Sequence, residues 1–110
     1  MSMPNGRIVL CSGLEDGLPT PWLKIQGNGD RLAATEPTRD TATVFMAEPL
    51  DEVNQIFALK PASQDGLWLS RIHRDKIDCI EAKKKEIDPH CHFGYQELPS
   101  GLFRVSCDDG

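Results

Sequence analysis

The chain has 110 residues, 39% of them hydrophobic and 26% charged, which suits one soluble domain with a modest core. Its net charge of −5 excludes the broadly basic surface that a nucleic-acid backbone requires and disfavours anionic membranes. No apolar stretch nears the roughly 20 residues of a membrane-spanning helix, and Met1 to Gly6 contain no apolar run of the kind that makes a signal peptide.

The predicted elements are short strands broken by turns. Arg7 to Cys11 is rich in β-formers and is followed by the turn cluster Ser12 to Gly17. Trp22 to Ile25 is a second strand, ended by Gly27-Asn28-Gly29-Asp30, whose glycines suit a tight turn. Arg31 to Ala34 and Thr41 to Met46 are the next two strands, and Pro37 and Pro49 bound the latter region. The same order then recurs: Gln55 to Leu59, the turn Gln64-Asp65-Gly66, Trp68 to Ile72, a turn over Arg74 and Asp75, Ile77 to Ala82, and His90 to Tyr95. Leu102 to Cys107 opens a third copy.

The correspondence is residue by residue. Asp16-Gly17, Asp65-Gly66 and Asp109-Gly110 each follow a first strand, Trp22-Leu23 matches Trp68-Leu69, and Leu32 and Ala34 match Ile80 and Ala82. Asp40, Thr43, Phe45 and Leu50 match Asp88, Cys91, Phe93 and Leu98. Apolar residues alternate within the strands, as a half-buried sheet requires. Residues 7–50 and 56–98 thus read as two full repeats, and 102–110 as part of a third, within a single domain over 1–110. A unit of four short strands fits a β-trefoil lobe or a propeller blade; the chain carries no Gly-His or Trp-Asp signature, and three blades are too few to close a propeller. The expected fold is therefore all-β and β-trefoil-like. The rival is local: Ile80 to Ile87 includes Glu-Ala-Lys-Lys-Lys-Glu, a run of good helix formers, but the matching Thr35 to Asp40 contains Pro37, so an irregular loop with one helical turn is expected there.

Chemistry-bearing groups are sparse. His90-Cys91-His92 offers metal ligands, with His73, Cys79 or Cys107 to complete a set, yet in a strand Cys91 points inward, away from both histidines, so no metal is expected. The four cysteines (Cys11, Cys79, Cys91, Cys107) read as reduced thiols in the absence of a signal peptide. No serine sits in a Gly-x-Ser-x-Gly elbow, no particular Cys–His pair is signalled, and Gly27 to Asp30 lacks the Lys-Ser/Thr of a phosphate loop. No catalytic residue or cofactor is expected, and the Lys83-Lys84-Lys85 run is offset by Glu86 and Asp88. The two tryptophans at matching positions read first as strand packing and second as a platform for stacking a sugar ring. On that second reading the candidate ligand-binding residues are Trp68, Arg71, His73, Arg74, Asn28 and Asp30.

The stretch Ala58-Leu59-Lys60, Asp65 to Ile72, Ile80 to Lys83 and Asp88 to Phe93 resembles the repeat of fascin-like β-trefoil domains and of the related amaranthin-type agglutinin domain. The resemblance covers nearly all of the chain, with the second repeat the clearer one. It implies a non-catalytic binding module: lectin-like recognition of a glycan, or actin binding as in fascin-like domains, or targeting beside a pore-forming toxin domain. The Gln-x-Trp signature of ricin-type lectins is absent, so their sugar sites do not transfer. A cytoplasmic location is expected, with secretion by an unconventional route as the alternative. Two lobes and the first strand of a third leave an open edge, which is expected to meet a second copy of the chain or the rest of a larger one.

Overall fold

A computed structural model of the protein describes residues 5–12, 14–15, 18–19, 21–27, 31–63, 66–74, 77–99 and 103–107, with the backbone alone for 14, 15, 18, 19, 74, 77 and 78. The fold is all-β. Its strands are β1 (Gly6–Ile8), β2 (Leu14–Glu15), β3 (Leu18–Pro19), β4 (Trp22–Ile25), β5 (Leu32–Glu36), β6 (Phe45–Asp51), β7 (Ile56–Pro61), β8 (Trp68–Arg74), β9 (Ile77–Lys84), β10 (Phe93–Glu97) and β11 (Phe103–Cys107). Two 3-10 turns, Arg39–Thr41 and Pro89–Cys91, precede β6 and β10. Among the described residues there is no helix long and apolar enough to cross a membrane.

Five strands form one antiparallel sheet in the order β1-β6-β7-β10-β11. The other pairs, β2–β3, β4–β5 and β8–β9, are two-stranded ladders. The hairpin β4–β5 therefore lies in the chain between β1 and β6, and β8–β9 lies between β7 and β10. Both hairpins shift register at one place: Trp22 faces Glu36 but Leu23 faces Ala34, and Trp68 faces Lys84 but Leu69 faces Ala82. The extra residues, Thr35 and Lys83, are exposed bulges, which bend and twist a two-stranded ribbon.

The core follows from alternation along the five-stranded sheet. Phe45 and Ala47 of β6, Phe57 and Leu59 of β7, and Phe93 and Tyr95 of β10 are buried in one cluster, joined by Leu69 and Ala82 from the second hairpin. Ile8, Phe103 and Val105 on the edge strands pack against it and stay half-buried. Three aromatic contacts are edge-on: Phe57 with Phe93 (6.4 Å), Phe57 with Tyr95 (5.7 Å) and Tyr95 with Phe103 (5.8 Å), the arrangement that ring quadrupoles favour.

Three expectations are corrected. The Lys-rich segment after Ile80 is neither helix nor loop as far as Lys84: β9 continues through it, because pairing with β8 buries Glu81 and Ala82 and outweighs intrinsic propensity. His90 and Cys91 belong to a 3-10 turn rather than a strand, although Cys91 does point inward and is fully buried. The turn cluster after Cys11 contains the small β2–β3 ladder, Leu14 facing Pro19 and Glu15 facing Leu18.

Candidate functional site

Strand β8 carries four of the six residues that sequence marked. Trp68 stands at its start, half-buried, with the Lys60 ammonium 4.9 Å from the centre of its ring. A cation over the ring face is a favourable contact in its own right, and it occupies area that a sugar would need for stacking. Arg71 is half-buried in mid-strand and His73 is exposed near the hairpin end. Arg74 ends the strand, and Asn28 and Asp30 lie outside the described residues. Arg71 and His73 share one face of the strand and Trp68 lies on the other. Trp68 and His73 are five residues apart, roughly 17 Å along an extended strand. The strand thus brings Arg71 and His73 together and keeps Trp68 apart from them.

The two hairpins meet at a place that sequence did not mark. An isolated bridge pairs Arg31 with Glu81, and the Arg31 guanidinium lies 3.9 Å from the Glu81 carboxylate. Glu81 is 2% exposed, an unusual position for a carboxylate, whereas the Arg31 side chain is half exposed. Glu81 faces Ser70 across β8–β9, so the contact ties the residue that follows Asp30 to the middle of the second hairpin. The available signal was a charge between the apolar Ile80 and Ala82 of the strand; its burial comes from the neighbouring hairpin, which no local pattern reveals.

Beneath β8 the 3-10 turn 89–91 is held by Asp88. Its carboxylate accepts the His90 N–H (3.0 Å), lies 3.3 Å from the Lys84 ammonium and accepts from the Cys91 thiol. Burial alone would raise the Asp88 carboxyl above its ordinary 3.8, but the bonds from Cys91, Lys84 and His90 outweigh it, and the net direction is down. Burial pushes the Cys91 thiol up from 9.0, and the nearby Asp88 carboxylate pushes it the same way, against the Asp88 backbone N–H and the Ser70 hydroxyl. A thiol held protonated is a poor nucleophile. The Ser70 hydroxyl is close enough to act on that thiol yet finds no hydrogen bond of good geometry.

An open cleft of about 440 Å³ lies between the first hairpin and the entry to the second, lined by Ile25, Thr43, Val44, Ser63, Leu67 and Ala82 among others. The Thr43 hydroxyl accepts the Ile25 N–H (2.9 Å), which fixes the cleft wall. Gly66 lets the chain pass close to β7: a Cβ there would run into the Pro61 carbonyl oxygen. The cleft offers carbon surface with hydroxyls at hand, and Trp68 adjoins it in sequence through Leu67. Among the described residues no group of three His, Cys, Asp or Glu side chains is placed to hold a metal ion. Comparison with family models, curated proteins and solved structures finds no match to this chain.

Proposed function

We propose that the protein is a non-catalytic binding module of β-trefoil-like build, and that its ligand is a glycan held in the cleft beside the first hairpin. The observation that carries this reading is the equivalent insertion of the two hairpins. Each leaves the five-stranded sheet between neighbouring strands, each bulges opposite its Trp-Leu pair, and each returns through a 3-10 turn. Two such lobes around one core support a trefoil-like repeat, with β1, β4, β5 and β6 as one lobe, β7, β8, β9 and β10 as the next, and β11 as the start of a third. Lobes of that kind set loops side by side over clefts. A cleft of about 440 Å³ falls within the usual range for small-molecule sites, and its mixed carbon and hydroxyl lining suits the amphipathic face of a sugar ring.

Recognition then proceeds by hydrogen bonding and apolar contact, with no bond made or broken. Arg71 in mid-strand and His73 near the hairpin end act as polar groups on one face of β8. The test sets a glycan array beside actin co-sedimentation. Saturable binding to a defined set of glycans, weakened by Thr43→Val or Ser63→Ala, supports the reading. Stoichiometric pelleting with filaments and a blank array would replace it with the cytoskeletal one.

A further inference from the structure

The five-stranded sheet has two edges, β1 and β11, each with one strand partner among the described residues. Successive strands are antiparallel, so β1 and β11 run in the same direction and cannot pair antiparallel with each other. The two edges differ in how they are protected. β1 has three residues, begins at Gly6 with φ of 75°, and carries the exposed Arg7 at its centre. A two-fold pairing of β1 with its copy would set Arg7 against Arg7. Short length and a central charge are the usual ways in which an edge is blunted. β11 is five residues long and has no proline or bulge, and Phe103 and Val105 on its inner face are only half-buried.

We infer that the protein self-associates as a two-fold dimer through β11, with Val105 facing Val105 of the second copy. The register follows from two requirements. A strand displaced by one residue would turn its inner row outward, so inner residues must face inner residues. Only centring on Val105 then pairs all five positions, and it sets Phe103 against Cys107 and the exposed Arg104 against the exposed Ser106, with no like charges opposed. Pairing β11 with β1 of another copy would be heterologous and would propagate into open chains, whereas the two-fold contact closes on itself. The dimer extends the sheet to ten strands and joins the inner rows of both copies across Phe103 and Val105. It requires nothing of the ligand, so it stands or falls apart from the glycan reading; if both hold, it doubles the number of sites and favours avidity.

The test is sedimentation equilibrium of the 110-residue chain over a wide concentration range, with substitutions at the outward-facing Ser106. The wild type should show a monomer–dimer equilibrium. Ser106→Arg opposes Arg104 twice per dimer and should weaken association roughly tenfold; Ser106→Glu pairs with Arg104 twice and should strengthen it by a similar factor. Adding Arg104→Glu to Ser106→Arg restores opposite charges and should restore the dimer, which separates a lost interface from a lost fold. A wild type that stays monomeric at millimolar concentration, an open series of larger species, or association indifferent to both Ser106 substitutions would each overturn the inference.

Discussion

Phe57 is the position at which the described core can be tested most directly. Its side chain is fully buried and meets two rings edge-on, Phe93 at 6.4 Å and Tyr95 at 5.7 Å. Phe57→Ala removes the transfer free energy of the ring and both contacts, and leaves a cavity that neighbouring strands can only partly close. Such truncations cost about 3–5 kcal/mol. A domain of this size holds about 5–15 kcal/mol in all, so the variant should lose a large share of its stability. Phe57→Leu keeps most of the volume but loses the ring edges, each worth about 0.5–1.5 kcal/mol, and should fall between the two. Urea unfolding followed by the fluorescence of Trp22 and Trp68 reads the difference. With a slope of about 2 kcal/mol per molar, Phe57→Ala should move the midpoint down by about 2 M. Val53 is 90% exposed, so Val53→Ala is the control and should stay within about 0.5 kcal/mol of wild type. If Phe57→Ala behaved like Val53→Ala, the five-stranded sheet would not be the stabilising core and the packing derived from it would be wrong.

Two further predictions concern polar groups around that core. The Tyr95 hydroxyl is buried without a hydrogen-bond partner, so Tyr95→Phe should leave the urea midpoint equal to or above wild type, where a tyrosine with a satisfied hydroxyl would lose by the change. Burial, then Glu52 and Asp51, raise the Tyr95 pKa above 10.0, so the unfolded chain ionises first and stability falls as pH rises from 10.0 towards the folded value; Tyr95→Phe should remove that part of the alkaline slope. Asp88→Ala removes the cap of the second 3-10 turn and should cost about 1 kcal/mol at neutral pH, measured by the same unfolding curves. Because the folded Asp88 pKa lies below 3.8, its contribution is complete above pH 3.8 and is lost as pH falls through the folded value. Wild type and Asp88→Ala should therefore converge under acid, and a gap that stayed constant down to pH 2 would assign the cost to packing instead.

Most strands were legible because they rest on local pattern, but the strand expected over Thr41 to Met46 is displaced: Thr41 closes a 3-10 turn and β6 runs Phe45–Asp51, through Pro49. Phe45 and Ala47, Phe57 and Leu59, and Phe93 and Tyr95 alternate with more exposed neighbours or sit in runs too apolar for a loop, and all are core. The matched Trp-Leu pairs likewise open β4 and β8, and each faces a bulge on the opposing strand. The tail of β9 was not legible, since Lys83 and Lys84 favour helix as isolated residues. What keeps them extended is a ladder to β8 whose register depends on Leu69 and Ala82 being buried together. The candidate site was read only in part for a related reason. Strand alternation separates Trp68 from Arg71 and His73, a consequence of period 2 that a list of residue types passes over.

The burial of Glu81 shows why residue type alone does not reveal where the two hairpins meet. A hairpin standing alone has one face in water, and a glutamate between Ile80 and Ala82 would belong to that face. Here both faces of β9 are covered, Ala82 by the sheet core and Glu81 by the neighbouring hairpin through Arg31. The charge is thus enclosed by the same hairpin contact that lies beside the cleft. A paired charge in such a place is weak evidence for stability, because the cost of desolvation offsets much of the attraction. Its better-attested use is to fix register: Glu81 at the bridge admits Arg31 and would penalise an apolar residue in its place. On that argument the pair sets how the two hairpins meet, and the shape of the cleft lined by Ile25 from one and Leu67 and Ala82 from the other follows from it.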